Sequence, residues 1–284
     1  MPASDAMSDL PDLLQLTEIG ERRYQVTQPP ESAEGRDVVF SGQLLAQMIM
    51  ASGHAAGGAK DVRSIHAVFA RAGTYTRPIE LEVESLLAGR TWASDTVTAT
   101  QSGKVLSRAS VLLNVVDEDL MRHEPPMPPV PAPGDVDAAH GQAFPGAELR
   151  PVPGGHEVGG VPVEMAWHRF ERPLASQAAN QAVLAWATCG NIIGLAMRPH
   201  RDRVRIEDAH ASISTGVIAQ TIHFVERFDV SQWLLVRHEA TKAATGRVYG
   251  DGRVFAEDGT LVAAFHQDSM ARVPAAPLDP NRSM

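Results

Sequence analysis

The sequence contains almost no cysteine: Cys189 is the single one among its 284 residues. One thiol cannot form an internal disulfide or a zinc site built from several thiolates, so neither holds the fold together. No run reaches the roughly 18 consecutive apolar residues that a membrane-spanning helix needs. Residues 1–20 also lack the basic start and the apolar segment of a signal peptide. These absences predict a cytoplasmic protein without a membrane partner.

Positive charge is also scarce in this chain. Lysine and arginine total 25 against 34 aspartates and glutamates, which gives a formal net charge of −9. Proteins that bind nucleic acid through its phosphate backbone usually present a concentrated basic face. We therefore expect no nucleic-acid partner, and we attribute the acidity to solubility.

Several catalytic and cofactor motifs are missing as well. The sequence has no Gly-x-Ser-x-Gly, no Gly-x-x-x-x-Gly-Lys, no His-Glu-x-x-His and no Cys-x-x-Cys. The glycines of residues 246–252 do not form a dinucleotide-binding fingerprint, and hairpin turns account for them. The sequence thus predicts no cofactor and no metal.

What the sequence does contain is a pair of segments that are apolar on nearly all sides. Residues 41–53 (SGQLLAQMIMASG) and 180–197 (NQAVLAWATCGNIIGLAM) are predicted to be helices, and Ser41 is a candidate cap for the first. An ordinary surface helix keeps one wide polar face, whereas the polar residues here are few and small. This pattern favours helices that are enclosed by a curved sheet.

Each apolar helix is followed by a similar series of β-rich runs. The predicted strands are 64–70, 79–87, 91–100 and 105–115 in the first half, and 210–228, 233–240, 246–256 and 261–270 in the second. Phe69 precedes the hairpin glycine Gly103 by 34 residues, and Phe224 precedes Gly259 by 35. The shared spacing, at an offset of about 155 residues, indicates duplication of a whole domain rather than a short solenoid repeat.

The two halves are separated by a proline-rich stretch, residues 117–160, which we interpret as an extended linker. The predicted organisation is an N-terminal lobe over 1–116 and a C-terminal lobe over 161–284. A helix in the concave face of an antiparallel sheet, twice in tandem, predicts an α+β double hotdog fold. The exposed sheet edges and back faces of such a unit favour a homo-oligomer.

With its motifs laid out in this way, the chain resembles the type II acyl-CoA thioesterases, a double-hotdog family that hydrolyses fatty acyl-CoA thioesters. The resemblance covers about residues 36–273 apart from the linker. The motifs that carry it are 39–43 (VFSGQ), 46–47 (AQ), 64–69 (SIHAVF), 77–79 (RPI), 86–90 (LLAGR), 184–187 (LAWA), 224, 228, 233–235 (WLL), 261–263 (LVA) and 267–268 (QD).

The resemblance implies a water-activating trio of an aspartate on the second helix, a threonine on the next strand and a glutamine on the last strand. Gln267 matches the glutamine, whereas Cys189 occupies the aspartate position and Val217 the threonine position. Gln267 can orient water or donate to the thioester oxygen, but a neutral amide cannot act as a base. The alternative for Gln267 is an ordinary exposed strand residue.

The remaining candidates have structural alternatives of their own. Cys189 is either a small buried hydrophobe or a nucleophile activated by His223 or His266. His66 is a candidate base or donor, or else a buried hydrogen-bonding group. Gly42 and Gln43 are candidates for binding an acyl carbonyl or phosphate through their backbone N–H groups, or else they allow the helix to pack tightly. Gln220, Thr221 and Thr188 are candidates for replacing the missing polar groups.

We therefore expect an acyl-CoA thioesterase-like hydrolase that takes acyl-CoA as its substrate and releases a free acid and CoA by water attack. An acyl-CoA-binding hotdog module without catalysis is the alternative, because two of the three expected catalytic positions are substituted. A hydratase-like hotdog protein acting on enoyl-CoA ranks last, since no Asp and His pair lies on one loop-helix element.

Overall fold

The structure is a computed structural model that describes residues 14–28, 37–139, 146–154, 157–202, 204 and 213–273. Its helices are α1 (Ser41–Ala55), α2 (Gln177–Thr188) and α3 (Asn191–Met197). Its strands are β1 (Thr17–Gly20), β2 (Arg23–Val26), β3 (Asp61–Phe69), β4 (Ile79–Ala88), β5 (Trp92–Gln101), β6 (Lys104–Asn114), β7 (Ala147–Pro151), β8 (Glu157–Val158), β9 (Val161–Phe170), β10 (Ser214–Phe224), β11 (Leu234–Ala244), β12 (Arg247–Ala256) and β13 (Leu261–Arg272).

The described residues divide into two compact units. The first holds those within Met1–Arg122 and Leu174–Ala187, and the second those within His123–Pro173 and Thr188–Pro280. The β-rich runs predicted from the sequence are all present as strands with shifted ends, and β1, β2, β7, β8 and β9 are additional. The start of the predicted strand 210–228 lies outside the described residues, and β10 ends at Phe224.

The first unit is built on an antiparallel sheet with the strand order β1-β2-β4-β5-β6-β3. Helix α1 packs on this sheet, and Leu45, Met48 and Ile49 on it are completely buried. Ser41 does not cap α1, because Phe40 is the N-cap residue and no side chain caps the helix. A Cβ atom on Gly53 would lie 2.8 Å from the Ala178 Cβ, so the close approach of α1 to α2 requires glycine there.

The second unit contains an antiparallel sheet with the order β10-β13-β12-β11-β9-β7, and β8 pairs with β9. Helix α3 packs on β11 and β12 and also contacts β9 and β13. Alternate residues of β13, from Ala263 to Ser269, are buried, so one face of this strand is turned inward.

The prediction of one continuous helix over residues 180–197 is wrong. Helix α2 ends at Thr188 and α3 begins at Asn191, because Gly190 adopts φ 91°, in the left-handed region. Only glycine adopts this conformation without strain, and it ends a helix. The apolar composition on both sides concealed the break.

The proline-rich stretch predicted to be a linker also differs from a free linker. From His123 onward it belongs to the second unit, and it contains β7 and β8. Val136 and Val152 are buried in one cluster with Trp167, whose Nε1 donates to the carbonyl of Pro131 at 3.0 Å. The prolines fit because β7 lies at the edge of the sheet. The segment therefore covers one face of this sheet, while the lobe boundaries stay a prediction.

Candidate active site

The break between α2 and α3, residues 188–190, is largely buried. Thr188 and Cys189 have 0% and 2% of their surface exposed. A helix end leaves backbone N–H and C=O groups without helical partners, and burial makes an unpaired one costly. Gln267 and His238 bind backbone groups of the break, and Gln220 binds the Thr188 hydroxyl. These three strand side chains, together with the break, form the cradle.

Gln267 on β13 binds the far side of the break. Its Oε1 accepts a hydrogen bond from the Gly190 N–H at 2.7 Å, and its Nε2 donates to the Ser269 hydroxyl at 2.7 Å. Both side chains are completely buried, so the alternative that Gln267 is an ordinary exposed residue is wrong. These bonds fix the direction of the amide and leave one of its two N–H donors for a ligand.

Gln220 on β10 lies directly opposite Gln267 in the sheet register. Residues opposite each other on antiparallel strands have Cβ atoms about 5 Å apart on the same face. The Nε2 of Gln220 donates to the Thr188 hydroxyl at 3.2 Å, whereas its Oε1 is buried and has no hydrogen-bond partner among the described residues. Gln220 therefore holds the near side of the break and keeps one acceptor atom available.

A β-bulge between Val217 and Ala219 determines which residues of β10 lie on the same face of the sheet as Gln267. Val217 pairs with Ser269, and Gln220 pairs with Gln267, so the extra residue in β10 brings Val217 and Gln220 to the same side. Without the bulge, positions 217 and 220 would point to opposite faces. Val217 itself is buried and supplies no polar atom, whereas Ser269 opposite it supplies a hydroxyl.

His238 on β11 completes the cradle. It donates a hydrogen bond to the backbone carbonyl of Thr188, and its Nε2 is buried without a partner among the described residues. Burial is the main reason that the pKa of His238 is lowered to about 4, and the positive charge of Arg198 lowers it further. The imidazole is therefore neutral near pH 7, and its ring meets Phe265 edge-on with centroids 5.3 Å apart.

The environment of Cys189 excludes the nucleophile hypothesis. Burial raises the pKa of its thiol, so the sulfur stays protonated near neutral pH. A thiol nucleophile needs the opposite shift, which a nearby cation or helix N-terminus would provide. Cys189 thus behaves as a small apolar side chain within the break.

The structure brings some of the predicted site residues together and separates others. Gln267, Gln220, Val217 and the backbone at Cys189 meet in the second unit. Thr221 is adjacent to Gln220 on the strand and so points to the opposite face, beside His266 across the pair.

The other predicted binding residues belong to the first unit. Gly42 and Gln43 are buried in α1, where the Gln43 N–H donates to the Phe40 carbonyl at 3.1 Å and its side-chain Nε2 donates to Gln28 Oε1. The Gln43 N–H is therefore occupied rather than free for a carbonyl or phosphate. His66 is exposed on β3, so it is not a buried hydrogen-bonding group.

Sequence reasoning missed His238 and Ser269. Both occupy inward positions of alternating strands, His238 between Val236 and Ala240, and Ser269 two residues after Gln267. A polar residue at an inward position of a strand is the signal that would have found them.

Chemically, the cradle offers donors and acceptors in a place from which most water is excluded. Hydrogen bonds there are stronger than in water, and an orphaned acceptor favours binding of a donor. Within the described ranges, no three His, Cys, Asp or Glu side chains are grouped to hold a metal ion. Of the helices that the structure describes, none has the length and apolar character required to cross a membrane.

Comparisons with known proteins agree on one family. Residues 28–114 match the family described as the acyl-CoA thioesterase N-terminal domain, and residues 121–271 match the acyl-CoA thioesterase C-terminal domain. The chain is 25% identical to acyl-CoA thioesterase 2 of Haemophilus influenzae, over 95% of this chain and 99% of that protein.

Solved structures support the same fold. An acyl-CoA thioesterase II, TesB2, from Mycobacterium marinum superposes with a TM-score of 0.79 and 22% identity, covering 93% of this chain and 98% of that one. A protein of unknown function with a hot dog fold from Alicyclobacillus acidocaldarius gives a TM-score of 0.73 at 21% identity, with coverage of 93% and 98%. The hotdog fold expected from the sequence is confirmed.

Proposed function

Because the chain belongs to the acyl-CoA thioesterase family, whose two domain descriptions match most of its length, we propose that it hydrolyses acyl-CoA thioesters to a free acid and CoA. The observation that carries the proposal is the Gln267 amide, which Gly190 and Ser269 hold in one orientation. A fixed amide in a buried site is suited to orient a reacting group, since no reorganisation is needed during the reaction.

In this proposal Gln267 donates its remaining N–H to the thioester oxygen. Water attacks the carbonyl carbon, negative charge develops on that oxygen, and the C–S bond then breaks to release CoA. The donor is aligned before charge develops, which is the condition for strong stabilisation. Cys189 and Val217 stand at the positions of the family's aspartate and threonine, so this chain uses different groups to activate the water.

The finer architecture that we propose is a double hotdog, with two tandem lobes that each combine a helix and an antiparallel sheet. The similar order of strands after α1 and after α2 and α3 supports it. We further propose lobes over 1–116 and 161–284 and assembly into a homo-oligomer, because unpaired sheet edges favour association.

The proposal is tested by incubating the protein with a panel of acyl-CoAs, from acetyl to palmitoyl, and measuring the released thiol. We expect turnover of at least one acyl-CoA, and a kcat lower by on the order of 100-fold in Gln267→Ala, the usual loss when one such donor is removed. Binding of a non-hydrolysable acyl-CoA analogue without any turnover would contradict hydrolysis and favour a binding module.

Gln101→Ala is the matched control for this test. Gln101 is also a buried strand glutamine with both ends of its amide bonded, to the Thr74 N–H and to the carbonyls of Thr74 and Arg77. It lies in the first unit, away from the cradle, so its loss should lower the melting temperature while kcat is retained. Equal losses of kcat in both variants would assign the Gln267 effect to stability alone.

A further inference from the structure

Two buried acceptor atoms in the cradle have no donor. They are Gln220 Oε1 and His238 Nε2, and neither makes a hydrogen bond within the part of the chain that the structure describes. Gln220 and His238 are 1% and 3% exposed. Leaving a buried acceptor unpaired is costly, so each of these atoms favours the binding of a donor.

Both residues are tied to the same residue of the helix break. Gln220 donates to the Thr188 hydroxyl, and His238 donates to the Thr188 carbonyl. His238 pairs through Gly252 with Phe265, which lies two residues from Gln267, so all of these side chains are on one face of the sheet. The two free acceptors therefore belong to side chains that share one face of the sheet and one bonding partner, Thr188.

The contact with Thr188 also fixes the state of the imidazole. Since Nε2 is the unpartnered nitrogen, Nδ1 is the one that donates to the carbonyl, and the neutral ring then carries its lone pair on Nε2. A hydrogen bond from one ring nitrogen to a backbone carbonyl is the usual way in which a protein determines which nitrogen of a histidine carries the proton.

From this geometry we propose that His238 is the general base of the hydrolysis and that Gln220 holds the attacking water with it. The inference rests on the proposed thioesterase function. The water donates one hydrogen to His238 Nε2 and the other to Gln220 Oε1, which leaves an oxygen lone pair directed at the thioester carbonyl. His238 then supplies the base that the protonated thiol of Cys189 cannot.

The proton and electron movements balance without any other reactant. As the water oxygen bonds to the carbonyl carbon, one water proton moves to Nε2 and the C=O electron pair moves to oxygen. When the carbonyl re-forms, the C–S bond breaks, and the departing sulfur takes the proton from Nε2. The products are the carboxylic acid and the CoA thiol, and His238 returns to its neutral form.

His238 is in the protonation state that this role requires. Because burial lowers its pKa to about 4, the imidazole is neutral near pH 7 and can accept a proton. The charged or titratable groups that face it are Arg198, Glu164 and His168. Glu164 is directly opposite His238 on β9 and forms an ion pair with Arg198, and His168 is on the same strand. Gly252 on β12, which is opposite His238, leaves space for the Phe265 ring, because a Cβ at that position would lie 2.2 Å from the ring.

The test compares His238→Asn with His168→Asn. Asparagine keeps a donor near the position of Nδ1, and so retains the bond to Thr188, but it removes Nε2. His168 is a matched control, because it is equally buried in the same unit and also has an unpartnered nitrogen, yet it lies on β9 opposite Leu234. We expect kcat to fall by on the order of 100-fold or more in His238→Asn, with KM retained.

Two further readouts separate a base from a structural residue. The wild-type rate should decline as the pH falls through about 4 to 5, and this acid limb should be absent in His238→Asn. Nitrogen-15 NMR of the wild-type protein should show His238 as the Nδ1–H tautomer at pH 7. The Nε2–H tautomer would overturn the proposal even if His238→Asn did not fold.

The failures of the two proposals are distinguishable. A wild-type protein that hydrolyses no acyl-CoA would overturn the thioesterase function and the base with it. A wild-type protein that is active, with folded His238→Asn and His168→Asn variants that keep the same kcat, would overturn the base alone.

Discussion

Helix α1 and the break between α2 and α3 use polar residues in opposite ways. In the first unit α1 is continuous, and its polar side chains bond to other side chains: Ser52 donates to Asp95 at 2.8 Å, and Asp95 in turn pairs with Arg22 at 3.0 Å. Between α2 and α3 the chain is broken at Gly190, and strand side chains of the second unit bond to residues 188–190 of the break. The first arrangement closes a polar network, and the second holds backbone in place.

This difference separates a supporting role from a chemical one. A buried charge that keeps its partners holds an element in position and offers nothing to a ligand. The break instead leaves backbone donors and acceptors, and two of the side chains that bind residues 188–190 keep an unpaired acceptor, Gln220 Oε1 and His238 Nε2. Gln43 Oε1 is an unpaired acceptor in the first unit as well, but the Gln43 side chain bonds to Gln28, a neutral amide. We therefore place the chemistry in the second unit.

A fall in pH is expected to give the largest difference in stability between the two units. Burial lowers the pKa of His238 to about 4 and that of His168 to about 3, whereas the ordinary histidine value is about 6.5. As the pH falls below about 6.5, the unfolded chain binds protons that the folded chain does not, so stability is lost progressively down to the folded pKa values. For His238 alone the loss is roughly 3 kcal/mol.

Hydrogen exchange, corrected for the intrinsic rate at each pH, can locate this loss. Between pH 6.5 and 4.5 we expect the amides of β9 and β11 to lose protection. Those of β5 and β6 should change little, because the described part of the first unit contains no buried histidine. Equal losses in both units would contradict the assignment.

Substitution of Gly190 should give the next largest effect. In Gly190→Ala the left-handed φ of 91° becomes strained, at a cost of about 1–3 kcal/mol, and the N–H that orients Gln267 moves. We expect kcat to fall by on the order of 100-fold, as for removal of an oriented donor. Steady-state kinetics and thermal melting measure the two effects.

Gly259→Ala separates strain from chemistry. Gly259 has a similar φ of 94° but lies in the turn between β12 and β13, and no atom other than the Met127 Cβ approaches its added Cβ within 4 Å. The same destabilisation should appear there with kcat unchanged. If Gly259→Ala lowered kcat as much as Gly190→Ala, the break would have no special role.

Some of the features behind these predictions could be predicted from the sequence, and others could not. The strands that follow the apolar helices, β3–β6 and β10–β13, were predictable, because alternation and hairpin glycines such as Gly103 and Gly259 are local signals. The helix break was not, because a glycine inside an apolar run is equally compatible with a continuous helix. The packing of residues 123–158 was also hidden, since proline predicts extended chain but not what that chain covers.

The candidate site was predictable only in part for the same reason. Gln267 was identified by resemblance, but its partner Gly190 is 77 residues away in the sequence. The bulge that turns Val217 and Gln220 to one face depends on strand register, which the pairing with β13 sets. His238 lies on a third strand, so its convergence on Thr188 is a property of the folded sheet.

Ser269 provides the smallest and most selective test of the comparison. In Ser269→Ala the Gln267 amide loses the acceptor that fixes it at 2.7 Å, and we expect kcat to fall about 10-fold with KM unchanged, a loss typical of one hydrogen bond to a neutral partner. Ser269→Thr keeps a hydroxyl and should restore most of the rate.

Ser107→Ala is the matched control, because Ser107 is equally buried on β6 but donates to the Val68 carbonyl in the first unit. If Ser107→Ala slowed turnover as much as Ser269→Ala, or if threonine failed to restore the rate, the polar network of the second unit would not be the one that serves catalysis.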